Sequence, residues 1–376
     1  METYETDVVV VGAGAVGLAA GRAFAEAGRE TIILEKARLI ASETSSRNSE
    51  VVHAGFHYTP GSLKAQLCVE GRRALYAYCA AKGVDLRACG KIVVATDMDE
   101  EAGISRLLDR ARANGVEGCR RISPREALDL EPALNPSLTG ALYSETSALV
   151  DSHAYFLALA GDIEAAGGLI SLGAEVVRGE FGSGAVILET APPEPLRFRA
   201  RCVVNCAGHE ALSLARRFAG GPGYPGLRLH WAKGNYFSVA GRAAFSRLIY
   251  PVDTPSSVGL HLTVDRGGRM RVGPDVEWLD VEGPPFDYRV FPERSAVFEA
   301  SVRRYWPGLP EGALFPDYSG VRPKLSGPGQ PSADFMIDAV RGASGGLLVN
   351  LIGIDSPGLT SSLAIGAYVR ALAGVA

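Results

Sequence analysis

The feature that most constrains the fold is a short apolar run near the N-terminus, followed at once by a glycine-rich turn. Residues 7–11 (DVVVV) form a β-branched run that is typical of a buried parallel strand. The turn at residues 12–17 (GAGAVG) comes next, and residues 18–27 are rich in Ala and charged side chains, which predicts a helix. Residues 31–34 (TIIL) predict a second strand. This order of strand, turn, helix and strand indicates an α/β fold with a bound dinucleotide.

The three glycines of the turn and one acid after it have separate expected roles. Gly12 permits the tight turn, Gly14 allows backbone to approach a pyrophosphate, and Gly17 lets helix and strand pack closely. The helix N-terminus offers N–H groups to the phosphates. Glu35 lies 23 residues after Gly12, where it would accept hydrogen bonds from ribose hydroxyls. These features predict a dinucleotide site but do not separate FAD from NAD.

Composition bounds the class of protein. With 376 residues, 47% apolar and 21% charged, the chain has enough apolar residues for two intimate globular domains. A net charge of −4 without a long basic run disfavours nucleic acid as a partner. We expect no signal peptide and no membrane-spanning segment, although contact with a membrane surface stays compatible with the sequence. Six cysteines without a CxxC pair favour a reduced, cytoplasmic protein.

The rest of the chain favours FAD over NAD because regular βαβ units do not continue after Glu35. A polar loop at residues 41–50 instead offers hydroxyls, an Asn and an Arg that suit a pyrophosphate and a ribityl chain. Residues 201–208 and 347–352 look like later strands of the same domain. The turn at 353–358 then precedes a predicted helix at 359–373, whose N-terminus would stabilise negative charge on a reduced flavin.

Several segments carry a resemblance to one family. The matching segments are 48–55 (NSEVVHAG), 58–65 (YTPGSLKA), 68–71 (CVEG), 89–91 (CGK), 233–236 (KGNY), 259–263 (GLHLT), 320–323 (GVRP) and 355–360 (DSPGLT). On these residues the chain resembles the D-amino-acid-oxidase superfamily of FAD enzymes and is most similar to the L-2-hydroxyglutarate dehydrogenase/oxidase family. The resemblance implies an FAD-binding fold and oxidation of a carbon that bears a hydroxyl or amine next to a carboxylate.

The predicted fold class is α/β, with two domains built from interrupted stretches of chain. Residues 1–85, 145–215 and 325–376 would form a Rossmann-like FAD-binding domain of the GR2 type. Residues 86–144 and 216–324 would form an α+β substrate-binding domain on an antiparallel sheet, because short β-like runs there alternate with Pro and Gly turns.

The cofactor contacts are predicted to come from four parts of the chain: the first turn, the polar loop, the middle strands and the C-terminal turn. They are Gly12, Ala13, Gly14, Ala15, Val16, Gly17, Glu35, Lys36, Thr44, Ser45, Arg47, Asn48, Ser49, Val52, His53, Val176, Ala207, Gly208, Gly353, Ile354, Asp355, Ser356, Pro357, Gly358, Leu359 and Thr360.

The chemistry is predicted to rest on His53, His261, Arg322 and Lys64. Pro323 holds Arg322 in extended backbone, and the resemblance implies that this Arg binds the substrate carboxylate. A dicarboxylate would need a second cation, for which Lys64, Lys233 and Lys324 are candidates. Either histidine could accept the proton of a secondary alcohol.

Several alternatives stay open. The predicted function is oxidation of a small 2-hydroxy acid, with L-2-hydroxyglutarate first, by hydride transfer to flavin N5. An amine or amino-acid oxidase of the same superfamily, a flavin-binding redox sensor without turnover and an NAD dehydrogenase are the competing hypotheses. The sequence does not decide whether oxygen, a quinone or a carrier accepts the electrons. No metal site is predicted, since Gly55 and Pro60 argue against a helical pair of His53 and His57.

Overall fold

The computed structural model describes residues 2–193, 195–252 and 259–375, so Met1, Glu194, residues 253–258 and Ala376 lie outside the described part. The strands, numbered in chain order, are β1 (Thr3–Val11), β2 (Thr31–Glu35), β3 (Val51–Val52), β4 (Leu86–Arg87), β5 (Lys91–Ala95), β6 (Cys119–Ile122), β7 (Gly140–Ser144), β8 (Ala148–Val150), β9 (Leu169–Leu172), β10 (Val176–Gly182), β11 (Ala185–Thr190), β12 (Arg197–Asn205), β13 (Phe218–Ala219), β14 (His230–Val239), β15 (Leu248–Pro251), β16 (Leu262–Val264), β17 (Met270–Val272), β18 (Glu277–Leu279), β19 (Leu314–Lys324), β20 (Met336–Arg341) and β21 (Leu347–Ile352). The α-helices are α1 (Ala15–Ala25), α2 (Leu63–Lys82), α3 (Met98–Ala113), α4 (Pro124–Leu130), α5 (Ser152–Ala165), α6 (Ala211–Arg216), α7 (Ser295–Tyr305) and α8 (Gly358–Leu372).

The first large sheet has a parallel centre, as the N-terminal pattern predicts. Strands β21, β12, β1, β2 and β9 are neighbours in that order and pair in parallel. Strand β1 alternates its side chains between two cores because both of its faces are covered. Val8 and Val10 pack with the helices α1, α5 and α8, whereas Val9 and Val11 pack with residues of β10, β11 and β12. The confirmed fold class is therefore α/β.

The second large sheet is mainly antiparallel, as predicted, and contains one parallel pair of strands. Its strand order is β18-β14-β17-β16-β15-β5-β7-β6, and β19 pairs with β14. The pairings are antiparallel except that of β15 with β5, which is parallel. An antiparallel sheet was predicted because short β-like runs alternate with Pro and Gly turns. The parallel pair joins strands more than 150 residues apart, so no local turn signal could reveal it. The domain boundaries stay a prediction.

Four loops meet at one edge of the first sheet because parallel strands share the direction of their carboxyl ends. Strand β1 leads into the glycine turn, β2 ends at Glu35, β12 leads into residues 206–210, and β21 leads into residues 353–357. A small sheet of β3, β8 and β4 holds the segment that carries His53 beside this edge. The fold thus gathers most of the predicted cofactor contacts at one place.

The glycine turn packs too tightly for side chains. Gly12 has a φ of +100°, and a Cβ there would lie 2.6 Å from the Cys206 carbonyl oxygen. A Cβ on Gly17 would lie 1.9 Å from the Gly12 carbonyl oxygen, so the start of α1 could not pack against the turn. A Cβ on Gly14 would meet only the Ser45 hydroxyl, at 3.1 Å. The backbone at Gly14 is therefore open to a close ligand, as the motif predicts.

A matched pair of helical glycines tests this packing. We expect Gly17→Ala to lower the free energy of unfolding by about 3 kcal/mol and to reduce FAD content, because a backbone oxygen must move. Gly161→Ala is the control, since Gly161 lies in α5 with nothing within 4 Å of the added Cβ. It should raise stability by about 1 kcal/mol through helix propensity. Urea unfolding and flavin absorbance measure both effects, and equal stability of the two variants would contradict the packing argument.

Candidate active site

One long cavity runs along the carboxyl edge of the first sheet and reaches the second sheet. The lining residues from the first sheet and its loops include Gly12, Gly14, Ala15, Val16, Gly17, Glu35, Lys36, Thr44, Ser45, Arg47, Asn48, Ser49, His53, Val176, Ala207, Gly208, Ile354, Asp355, Ser356, Pro357, Gly358, Leu359 and Thr360. The second sheet and its connecting segments add Tyr236, Tyr250, His261, Pro274 and Arg322. Segments distant in sequence, which were predicted separately, therefore line a single site.

Four of the predicted site residues lie outside the cavity lining. Ala13 is fully buried, and its N–H donates to the Glu35 carboxylate at 2.7 Å. Val52 is buried in the helical core, and Gly353 packs against Leu325. Lys64 forms an ion pair with Asp355 instead of facing the cavity. Sequence position brought these residues near the site, but their own packing turns them away from it.

We call the part of the cavity next to the glycine turn and Glu35 its nucleotide end. The Glu35 carboxylate is held there by two backbone hydrogen bonds. One carboxylate oxygen accepts from Ala13 N–H, and the other accepts from Ala37 N–H at 2.8 Å. The Ser45 hydroxyl accepts from Ala15 N–H at 3.0 Å and so ties the polar loop to the first turn of α1. The carboxylate of Glu35 is thereby fixed where it lines the cavity, and each of its oxygens retains capacity to accept a ribose hydroxyl.

The polar loop is fixed by contacts to the second sheet. Arg47 donates to the Ser319 carbonyl at 3.2 Å, and its guanidinium lies 3.9 Å from the centre of the Tyr288 ring. The Asn48 side-chain oxygen accepts from Glu50 N–H at 2.6 Å, and Tyr318 donates to the Asn48 carbonyl at 2.6 Å. The loop, which lines the cavity, is therefore held by the second sheet and by Tyr288, in addition to its contact with the first turn of α1.

His53 is held against the turn that follows β21. Its backbone N–H donates to the Thr360 hydroxyl at 3.1 Å, and its ring Nε2 lies 3.4 Å from the Ser356 hydroxyl. His57 lies nearby, with its ring centre 6.5 Å from that of His53. These contacts hold the backbone of His53 at Thr360 and place its imidazole beside Ser356, and both partners are predicted to contact the cofactor.

His261 is held by stacking. Its ring lies 3.5 Å from the Tyr250 ring, with only 7° between the two planes. The Lys91 ammonium lies 3.8 Å from the centre of the same Tyr250 ring. Two groups this close to one ring centre fit only on opposite faces, so Tyr250 separates Lys91 from His261. Lys91 is buried, and the sequence pattern identified it only as part of the family resemblance.

Arg322 lines the cavity on β19. Its Nη2 donates to the Asp275 carbonyl at 2.8 Å, and its Nε lies 3.4 Å from the Ala232 carbonyl. Gly234 makes room for it, since a Cβ there would lie 3.0 Å from Nη2. Neither hydrogen bond uses Nη1. Arg322 is therefore oriented by backbone carbonyls and keeps its full charge for an anionic ligand.

None of the three lysines considered as a second cation lines the cavity, and each is engaged by another group. Lys64 and Lys324 both pair with Asp355, at 2.8 and 2.7 Å. Lys233 is buried and donates to the Arg289 carbonyl at 2.7 Å. The expectation that one of them grips a distal carboxylate is therefore not supported by their contacts.

Sequence reasoning missed His209 and undervalued two tyrosines. The Nε2 of His209 lies 3.0 Å from the Thr44 hydroxyl and 2.8 Å from the Val321 carbonyl, which links the polar loop to β19. Its position directly after Gly208 was the available signal. Tyr236 and Tyr250 also line the cavity, although neither was among the predicted site residues.

We call the part of the cavity around His53, Tyr250 and His261 its reaction end. The histidines there are held in the neutral form. Burial lowers the pKa of His53, His57 and His261 well below the ordinary value of 6.5, and the charge of Lys91 adds to the effect. A histidine with a lowered pKa in the folded state takes up its proton first in the unfolded state. The free energy of unfolding should therefore fall as pH drops below the unfolded pKa.

This sign gives a measurable pH dependence. We expect the free energy of unfolding to fall between pH 7 and pH 5, by at most about 1.4 kcal/mol per pH unit for each such histidine. His57→Gln should make the pH dependence shallower, whereas His153→Gln, at an exposed site on α5, should not change it. Urea midpoints at both pH values measure this. An unchanged dependence in His57→Gln would show that the buried imidazole does not contribute.

Within the described part of the chain, no group of three or more His, Cys, Asp or Glu side chains could hold a metal ion. No helix among the described residues is long and apolar enough to cross a membrane.

Comparison with known proteins agrees with the geometry. The family model described as "DAO: FAD dependent oxidoreductase" matches residues 7–372. The chain is 39% identical to the mitochondrial L-2-hydroxyglutarate dehydrogenase of Arabidopsis thaliana, with 96% of this chain and 82% of that protein covered. It is 29% identical to the L-2-hydroxyglutarate dehydrogenase of Escherichia coli K12, with 96% and 92% covered.

A solved structure extends the agreement to the fold. The FAD-bound L-α-glycerophosphate oxidase of Mycoplasma pneumoniae superposes with a TM-score of 0.83 at 25% identity, covering 99% of this chain and 95% of that one. Its bound FAD and the match to the family model over nearly the whole chain confirm FAD as the cofactor. The predicted family and fold class are confirmed as well. The chain thus belongs to the DAO family of FAD-dependent oxidoreductases.

Proposed function

We propose that this enzyme oxidises L-2-hydroxyglutarate to 2-oxoglutarate. The observation that carries the proposal is that Arg322, His53 and His261 line the same cavity. The chain is also 39% identical to a plant L-2-hydroxyglutarate dehydrogenase. One cation suits the carboxylate next to the reacting carbon, and a neutral imidazole suits the hydroxyl proton.

The residues present fit FAD. Gly14 leaves the backbone open at the first turn, and Glu35 is fixed with its carboxylate on the cavity. The nucleotide end would hold the ADP part, and residues 354–360 with the polar loop would hold the remainder. Bound FAD supplies the acceptor for the hydride from the substrate carbon.

The chain's own residues supply binding and proton transfer. Arg322 binds the carboxylate and fixes the direction of the adjacent C–H bond. His53 lies beside Ser356 and Thr360, so we assign it the hydroxyl proton. Its lowered pKa keeps it neutral, and hence able to accept a proton, at neutral pH. His261 is the second candidate, since it also lines the cavity.

Anaerobic mixing of the purified holoenzyme with single substrates tests the proposal. The panel contains L- and D-2-hydroxyglutarate, L-lactate, glycerol 3-phosphate, glycine and L-glutamate, and flavin bleaching is followed by stopped flow. We expect L-2-hydroxyglutarate to give the fastest reduction. Faster reduction by an amino acid would assign the enzyme to amine oxidation, and no reduction by any member would favour a redox sensor.

The cellular setting is a further part of the proposal. The six cysteines are all free thiols, which suits a reducing compartment such as the cytoplasm. The class of electron acceptor is identified by measuring how fast the reduced enzyme from the same experiment is reoxidised. Oxygen, a soluble quinone and an artificial carrier are added separately to the reduced enzyme, and the fastest reoxidation identifies the class.

A further inference from the structure

A buried cluster of charges lies behind the reaction end of the cavity. One carboxylate oxygen of Asp355 is 2.8 Å from Lys64 Nζ, and the other is 2.7 Å from Lys324 Nζ. The Asp355 side chain is only 4% exposed, and that of Lys64 is 9% exposed. We call Lys64, Asp355 and Lys324 the ion triad.

The ion triad joins three elements next to the reaction end. Lys64 lies in the first turn of α2, and Lys324 ends β19, two residues after Arg322. Asp355 follows β21 and immediately precedes Ser356, whose hydroxyl lies 3.4 Å from His53 Nε2. Asp355 itself lines the cavity, so the triad adjoins the region where the chemistry is proposed.

The ion triad carries more positive charge than pairing requires. Two ammonium groups and one carboxylate leave a net charge of +1 in a mostly buried place. The Asp334 carboxylate accepts from Leu63 N–H at 2.7 Å and from Lys64 N–H at 2.9 Å at the N-terminus of α2, and among the described residues it forms no ion pair with either lysine of the triad. The two ammonium groups therefore share one carboxylate next to the cavity, where low exposure leaves their charge weakly screened.

We propose that the ion triad tunes the reduction potential of the bound FAD. In the proposed reaction a hydride leaves the substrate carbon with both electrons of the C–H bond, and the hydroxyl proton goes to His53. The substrate becomes a ketone, and the flavin gains one negative charge. Positive charge nearby stabilises the reduced flavin more than the oxidised form, and low exposure reduces screening of that attraction.

Substitutions that change the triad's charge in opposite directions test this inference. Lys64→Met and Lys324→Met each remove one positive charge, whereas Asp355→Asn adds one. We expect each Met variant to shift the balance between oxidised and reduced flavin on the order of tenfold toward the oxidised form, which for two electrons is about 30 mV. Asp355→Asn should shift it the other way, and Lys324→Arg, which keeps the charge, should leave it close to the wild-type value.

The potential is measured on purified holoenzyme by reductive titration against a reference dye, without substrate, at fixed pH and salt. The result is therefore independent of the substrate assignment, so failure of one proposal does not imply failure of the other. Unchanged potentials in the Met variants that retain FAD would overturn the inference. Shifts of the same sign in Asp355→Asn and in the Met variants would also overturn it, since they would indicate a displaced turn. The two lysines give independent tests if one variant loses FAD.

Discussion

Arg322→Ala is expected to lower kcat/KM for the best hydroxy acid by roughly 30- to 5000-fold, which corresponds to about 2–5 kcal/mol for a charge-assisted contact in a desolvated site. The guanidinium is oriented by the Asp275 and Ala232 carbonyls and faces the cavity shared with His53 and His261. Its loss removes both the charge that binds the carboxylate and the direction it gives the C–H bond. Arg322→Lys keeps the charge alone, so we expect a smaller loss that affects both KM and kcat.

The controls separate binding from folding. FAD content and the urea midpoint are measured beside the kinetics, because Arg322 also bonds backbone within the sheet. Arg269→Ala removes an arginine whose side chain is 74% exposed near β17, and it should leave the kinetics unchanged. Wild-type kinetics in Arg322→Ala would show that another group holds the carboxylate. Lys64 would be a poor replacement, since it is paired with Asp355.

His53→Ala is expected to slow flavin reduction at saturating substrate by roughly 10²–10⁴-fold while FAD stays bound. The imidazole lies beside Ser356, and burial lowers its pKa, so it is neutral and able to accept the hydroxyl proton. A base with a lowered pKa stays active at lower pH than an ordinary histidine would. The wild-type reduction rate should therefore be flat through pH 6.5 and fall only at more acidic pH.

His261→Ala is the competing variant, and His153→Ala is the matched control at an exposed site. We expect the loss in His261→Ala to be smaller than in His53→Ala, because His261 is held by stacking on Tyr250, whereas His53 Nε2 lies 3.4 Å from the Ser356 hydroxyl in the turn after β21. Stopped-flow reduction of all three variants with one substrate decides between them. A larger loss in His261→Ala would identify His261 as the base. Wild-type rates in both variants would exclude both histidines as the base.

Much of the nucleotide site follows from sequence because its signals are local. The strand at the N-terminus, the three glycines and Glu35 lie within one stretch of chain, and each is constrained by its immediate neighbours. The predicted strand at residues 347–352 matches β21 residue for residue, since it is a continuous apolar run between turns. A local signal was overlooked at α2, which Ser62 caps by accepting from Ala65 N–H and which Gly83 ends at a φ of +66°.

Other features depend on partners far away in sequence. Lys64 was considered as a second cation for the substrate, but its partner is Asp355, 291 positions later. The parallel pairing of β5 with β15 and the stacking of His261 on Tyr250 likewise arise only when separate segments meet.

The sequence by itself determined the family, the cofactor and the residue types able to bind a carboxylate and accept a proton. Only the tertiary structure decided which charged side chains line the cavity and which form ion pairs next to it. The physical reason is that local patterns report backbone geometry and burial, whereas an ion pair depends on which distant groups the packing brings within about 3 Å.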